Sequence, residues 1–155
     1  MKTSMTIEGL SELKDALENE MTKATARNVQ KRALVEAAEP MRADAERLAP
    51  VKTGMLQRSI DVSPKLSGRQ RLLHKPTAKV EEFVGAGALV QAITSEFGTP
   101  TQSPRPFMRP AWDANKKGTL LSIKQTLTEE IEKARQRAAR KAARILAKMK
   151  GTANG

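Results

Sequence analysis

Apolar residues in this chain recur mostly at steps of three and four, and the elements they predict are mainly helices. Ile7, Leu10, Leu13, Leu17 and Met21 mark an amphipathic first helix over residues 6–21, with Ser11 or Gly9 available as a cap. A second helical pattern runs from about Thr22 to Leu48, with Val29, Leu34, Ala37, Met41, Ala45 and Leu48 on one side. Pro40 should kink it or divide it in two, and Pro50 ends it. The period then changes to two. Met55 to Ser63 alternates, with Leu56, Arg58, Ile60 and Val62 on one face, and predicts a strand in which Arg58 is the discordant residue.

Residues 64–78, with two prolines, Gly68 and the cluster Arg69, Arg71, His74 and Lys75, predict a basic loop at the tip of a long hairpin. Lys79 to Gly87 predicts the partner strand. Leu89, Ile93 and Phe97 predict a short helix. From Phe107 to about Lys150 runs the longest helical stripe: Leu120, Ile123, Leu127, Ile131, Ala134, Ala138, Ala142, Ile145 and Met149, with Gly118 its weak point. The tail 151–155 is too small and polar to hold order. The expected fold class is α+β: a small antiparallel sheet flanked by N-terminal helices and one long C-terminal helix. The expected organisation is one domain over 1–150, with helices over 1–49, sheet and loops over 50–105, and the long basic helix over 106–150.

Between the sheet and the long helix lies the most unusual stretch of the chain. Pro100, Pro104, Pro106 and Pro110 surround Phe97, Phe107, Arg105, Arg109 and the single Trp112. Each proline fixes φ and removes a donor, so this loop loses little entropy on docking and suits a fixed contact surface better than a moving lid.

Composition narrows the chemistry. Cysteine and tyrosine are absent, which excludes disulfides, thiolate catalysis and zinc–thiolate sites. No run of 18 apolar residues occurs, and MKTSMTIEGL lacks the apolar stretch of a signal peptide, so a soluble protein of its producer's cytoplasm is expected. His74, the one histidine, stands among basic residues with no acidic neighbour in sequence and reads as a solvated loop residue. Gly85-Ala86-Gly87 lacks the rest of a phosphate cradle, and Glu81 and Glu82 should point to opposite faces, unable to share a proton or a metal. No catalytic residue, metal site or cofactor is expected.

The net charge of +11 is concentrated. The first 50 residues carry a net −1, and residues 101–155 a net +9. From Lys133 to Lys150 there are eight basic residues and no acidic one, so Lys133, Arg137, Arg140, Lys141, Arg144 and Lys148 are candidate contacts to DNA or an acidic partner. With no aromatic residue after Trp112, such contact would be to duplex phosphates without sequence readout. An Ala-rich apolar face argues against membrane activity.

Four segments in order, Ala49-Pro50-Val51-Lys52-Thr53-Gly54-Met55-Leu56-Gln57-Arg58-Ser59-Ile60, Val84-Gly85, Glu96-Phe97-Gly98-Thr99 and Arg105-Pro106-Phe107-Met108-Arg109-Pro110-Ala111, resemble the small neck and tail-completion proteins of long-tailed bacteriophages. These are similar to lambdoid minor tail protein Z and to the gene-ten-like family of HK-type phages. The resemblance covers about residues 25–115. It departs before Glu96, where relatives often carry an aromatic or His and this chain has Ala92-Ile93-Thr94-Ser95. It implies a virion structural protein at the neck or top of the tail, assembled from the host cytoplasm as a homo-oligomeric ring around the DNA channel. The implied partners are other neck proteins, the tail terminator, and head-closure or portal proteins. The expected interface residues are Thr53, Gly54, Arg58, Glu96, Phe97, Gly98, Thr99, Arg105, Phe107, Arg109 and Trp112. Phe107 and Trp112 are expected to anchor the corner, and Arg105 or Arg109 to pair with a carboxylate such as Glu96. The alternative is a DNA-binding or packaging accessory protein acting through the basic helix.

Overall fold

A computed structural model describes residues 9–153, the side chains of Leu10, Lys148 and residues 150–153 excepted. The expected contributions of Ile7, of the Lys148 and Lys150 side chains and of the end of the tail lie outside the described residues. The described residues form two compact units: residues 30–123 are one, and residues 9–29 with 124–153 the other. Among the described residues six helices and two strands follow in the order α1 (Leu10–Asn19), α2 (Lys23–Leu48), α3 (Met55–Arg58), β1 (Asp61–Ser63), α4 (Gly68–Leu73), β2 (Phe83–Gly85), α5 (Val90–Phe97) and α6 (Met108–Ala153). The fold is α+β, a two-stranded antiparallel sheet among helices.

The unit of residues 30–123 is built on the small face of α2. Ala33, Ala37 and Ala45 are fully buried, and Met41 and Ala49 nearly so. Small side chains on one stripe let other elements approach the helix axis closely. Against it pack Leu56, Ile60, Ala86, Phe107 and Ala111, with Val84, Leu89, Ala92 and Met108 at the margin. Phe107 is the largest fully buried side chain of this unit. Asn115 reinforces the packing by donating to the Asp44 carboxylate at 2.7 Å and to the Ala111 carbonyl at 2.9 Å. Pro40 lies on the exposed side of α2, and the helix is not divided there. On that side water can satisfy the carbonyl that the missing N–H leaves without a partner.

The strand expected over 55–63 is corrected to a helical turn followed by a three-residue strand. Gly54, at φ 69°, starts α3, and Leu56 and Ile60 reach the core while Arg58 turns outward. A spacing of four fits either period. A strand would have carried Arg58 inward with its neighbours, whereas a helical turn releases it. Asp61, Val62 and Ser63 then pair with Gly85, Val84 and Phe83. The partner strand is likewise shorter than expected. The loop that joins them is not plain coil: it contains α4, begun by a capping box in which Ser67 and Gln70 satisfy each other's backbone N–H groups.

The other unit contains α1, the start of α2 and the later turns of α6. Ala16, Leu17, Val29, Leu127 and Ile131 are its buried apolar residues. Arg135 forms a two-pronged pair with Glu20, at 2.6 and 2.8 Å.

Candidate functional site

The proline-rich corner is organised by one carboxylate. Glu96, near the end of α5, is 5% exposed. Its Oε2 accepts the backbone N–H of Phe107 at 2.8 Å and of Met108 at 3.0 Å, and its Oε1 accepts that of Arg109 at 3.1 Å. A helix start leaves its first N–H groups without internal partners and carries partial positive charge. Here a side chain from another helix takes three of them, Pro110 has none to satisfy, and Ala111 already bonds back to Phe107 at 3.3 Å. Every backbone donor of the turn is thereby accounted for.

Arg109 closes the arrangement. Its Nε donates to Glu96 Oε1 at 2.9 Å and its Nη2 to the Glu96 carbonyl at 2.8 Å, while the guanidinium lies 5.2 Å over the Phe97 ring. Burial pushes the Glu96 carboxyl up, but the amides of Phe107, Met108 and Arg109 and the Arg109 side chain together outweigh it and hold the group below its ordinary value of 4.5.

The loop between the two helices folds back on α5. Gly98 sits at φ 79°, and a Cβ there would stand 2.8 Å from the Gln102 carbonyl oxygen and 3.0 Å from the Pro104 nitrogen. Thr99 and Gln102 exchange backbone bonds of 2.9 and 3.2 Å around Pro100-Thr101, and the Arg105 N–H donates to the Ser95 carbonyl at 2.7 Å. Because Ser95 and Glu96 face inward, the apolar side of α5 faces out. Val90, Ile93 and Phe97 are 69%, 58% and 68% exposed. The sequence period of α5 is as expected, but the helix buries Ser95 and Glu96, beside Ala92 at the core margin, and leaves Ile93 and Phe97 outside.

The sequence-derived site residues divide between surface and interior. Phe97, Thr99, Arg105 and Arg109 are exposed around the corner, and Phe107 lies beneath it in the core. Thr53 and Gly54 share a cleft of about 420 Å³ with Ser95, Gln102 and Arg105, so the first motif meets the last one, at Arg105, in space. Arg58 folds over Gly54 and donates to the Thr53 carbonyl at 3.4 Å. Trp112, 55% exposed, lines a different groove with Leu34, Met41, Glu82 and Met108. Of the basic set, Lys133, Arg137, Arg140, Lys141 and Arg144 are exposed on α6, where Lys133 also pairs with Glu130 at 3.2 Å. The Lys148 side chain lies outside the described residues.

His74 is a correction to the sequence reading. Its Nε2 is 2.7 Å from Glu81 Oε2, and its ring meets Phe83 edge-on at 5.2 Å. Glu81 also accepts the N–H groups of Thr77 and Ala78, at 2.7 and 3.2 Å. The bond to His74 and these amides hold the Glu81 carboxyl down at about 2. The acidic partner comes from seven residues onward, across a loop without periodicity, so no sequence signal marks it. Among the described residues no cluster of three or more His, Asp or Glu could hold a metal, and no helix is long and apolar enough to cross a membrane.

Residues 11–98, more than half of the chain, match the family model of the HK97-gp10-like proteins, described as bacteriophage HK97 gp10 tail components. No curated protein and no solved structure matches the chain.

Proposed function

The chain belongs to the HK97-gp10-like family of bacteriophage tail components, and from that membership we propose that it acts in the neck of the virion, completing the tail or joining it to the head as one subunit of a ring around the DNA channel. A tail component is a structural protein of the virion and belongs to no enzyme class. Its proposed neighbours are other neck proteins, the tail terminator, and head-closure or portal proteins.

The observation that carries this reading is the Glu96 corner. Its backbone donors are satisfied internally, so the loop is stiff, yet Val90, Ile93 and Phe97 stand outside it. A pre-organised frame that leaves an apolar face uncovered is suited to docking against a neighbour. The test is complementation of a phage lacking this gene with an Ile93→Asp/Phe97→Asp variant. The reading expects folded protein together with unjoined heads and tails in electron micrographs. Full yields of joined, infectious particles would count against it.

A second reading, contact with genomic DNA, rests on α6. From Arg135 to Ala147 every residue is exposed, and the stretch contains basic residues and no acidic one. Neutralising Arg137, Arg140, Lys141 and Arg144 with Gln should flatten the salt dependence of duplex binding, its logarithmic slope falling by roughly 0.9 for each phosphate no longer neutralised.

A further inference from the structure

Two features of the unit of residues 30–123 are apolar, and one carries a carboxylate oxygen without a partner where the other carries an arginine. The first is a groove of about 440 Å³ between α2, β2 and the start of α6, with apolar walls that include Leu34, Met41, Met108, Trp112 and Ile123. Among the described residues, two buried side-chain oxygens have no hydrogen-bond partner, Glu82 Oε2 and Thr119 Oγ1, and both residues line this groove. A buried carboxylate oxygen without a donor is costly, and a cationic donor is its best partner. Burial raises the Glu82 carboxyl against the weaker pull of Lys31, so the lysine of its own chain leaves the demand unmet.

The second feature is α4. Leu72 and Leu73 are 88% and 82% exposed, the most exposed large apolar side chains among the described residues. Arg69 precedes them by three and four residues, which places all three on one face of the helix. Among the described residues Arg69 forms no ion pair. The capping box fixes this short helix in advance of any contact, and pre-organisation reduces the entropy lost on docking. Two exposed leucines beside a guanidinium are a poor solvent surface and a good match for an apolar groove with an unpartnered carboxylate.

We propose that α4 of one copy inserts Leu72 and Leu73 into the groove of the next, with Arg69 meeting Glu82. This rests on the ring reading above and supplies it with a contact. The two surfaces are different patches of one molecule, so the contact is head-to-tail, the kind that generates rings when its rotation closes. It leaves the exposed face of α5 available to other proteins of the neck.

The chain has no cysteine, which allows a clean test in particles assembled by a phage encoding the variants. Thr119→Cys is a small change at a hydroxyl without a bond, and Leu73→Cys lies on the surface. A double variant, treated with a short bismaleimide, should give a ladder of crosslinked multimers from purified particles, whereas either single variant should give monomer. Leu72→Asp/Leu73→Asp, checked for folding by circular dichroism, should reduce incorporation at least tenfold. Arg69→Glu should do the same, with recovery when combined with Glu82→Lys. Particles with several copies, no ladder and normal incorporation of the Asp variant would overturn the α4 contact and leave the ring intact. A single copy per particle would overturn both.

Discussion

The two ends of α6 follow opposite principles. At its start, each backbone donor is matched within the chain and the Phe107 side chain is fully buried. From Arg135 to Ala147 every side chain is exposed, the apolar Ile145 and Leu146 included. The first end is determined by internal bonds and can carry shape. Among the described residues nothing covers the second, and its chemistry is left to whatever meets it. The periodic stripe from Leu120 to Met149 runs through Leu127 and Ile131, which are buried, and on through Ile145 and Met149, which are exposed, so a helical stripe alone does not tell a core contact from a surface awaiting a partner.

Substitutions at the two ends should therefore separate sharply. Phe107→Ala should cause the largest loss, about 3–5 kcal/mol of unfolding free energy in denaturant titration, because it empties the centre of a core built mostly of Ala. Glu96→Ala comes next, at about 3 kcal/mol. It strands a set of buried donors as well as removing the carboxylate, and Glu96→Gln should recover some of the loss. Gly98→Ala should cost about 2 kcal/mol, through a strained φ and the contact with the Gln102 carbonyl. At the far end, replacing Arg137, Arg140, Lys141 and Arg144 with Gln should change stability by no more than about 0.5 kcal/mol at each site while altering DNA affinity. A large loss of stability there would erase the contrast.

Acid sharpens the same comparison. The Glu96 carboxyl lies lower in the folded chain than its ordinary value of 4.5. Its contribution is therefore complete above that value and is lost as pH falls through the lowered folded value. Glu81, held at about 2, should retain its loop contacts until pH falls to about that value. Thermal denaturation followed from pH 7 to pH 3 should show a decline that begins near pH 4.5 and is smaller in the Glu96→Gln variant.

Much of the helical organisation was legible in the sequence because it depends on local period and punctuation. The stripe of α2, its stop at Pro50, and the helix that follows the prolines are examples. The Arg109–Glu96 pair was within reach because the two residues flank a loop too stiff to separate them widely. The division of residues 55–63 was not legible, since Leu56 and Ile60 fit both periods and only the core decided between them. The partner of His74 was also hidden, being set by the path of the 74–81 loop rather than by any local preference.

By itself, the sequence determined where the longer helices run, that four prolines restrict the backbone of the corner, that the positive charge collects at one end, and that no thiol chemistry is available. Tertiary structure decided which way α5 faces. Fully burying Ile93 and Phe97 would stabilise by roughly 1.5–3 kcal/mol each. Four hydrogen bonds from backbone and guanidinium converge on the Glu96 carboxylate instead, and bonds to a charged group contribute roughly 1.5–3 kcal/mol apiece. The polar side wins the interior, and the apolar side is left for a partner. That balance depends on a helix start whose donors lie 11 to 13 residues beyond Glu96, so periodicity within α5 could not express it.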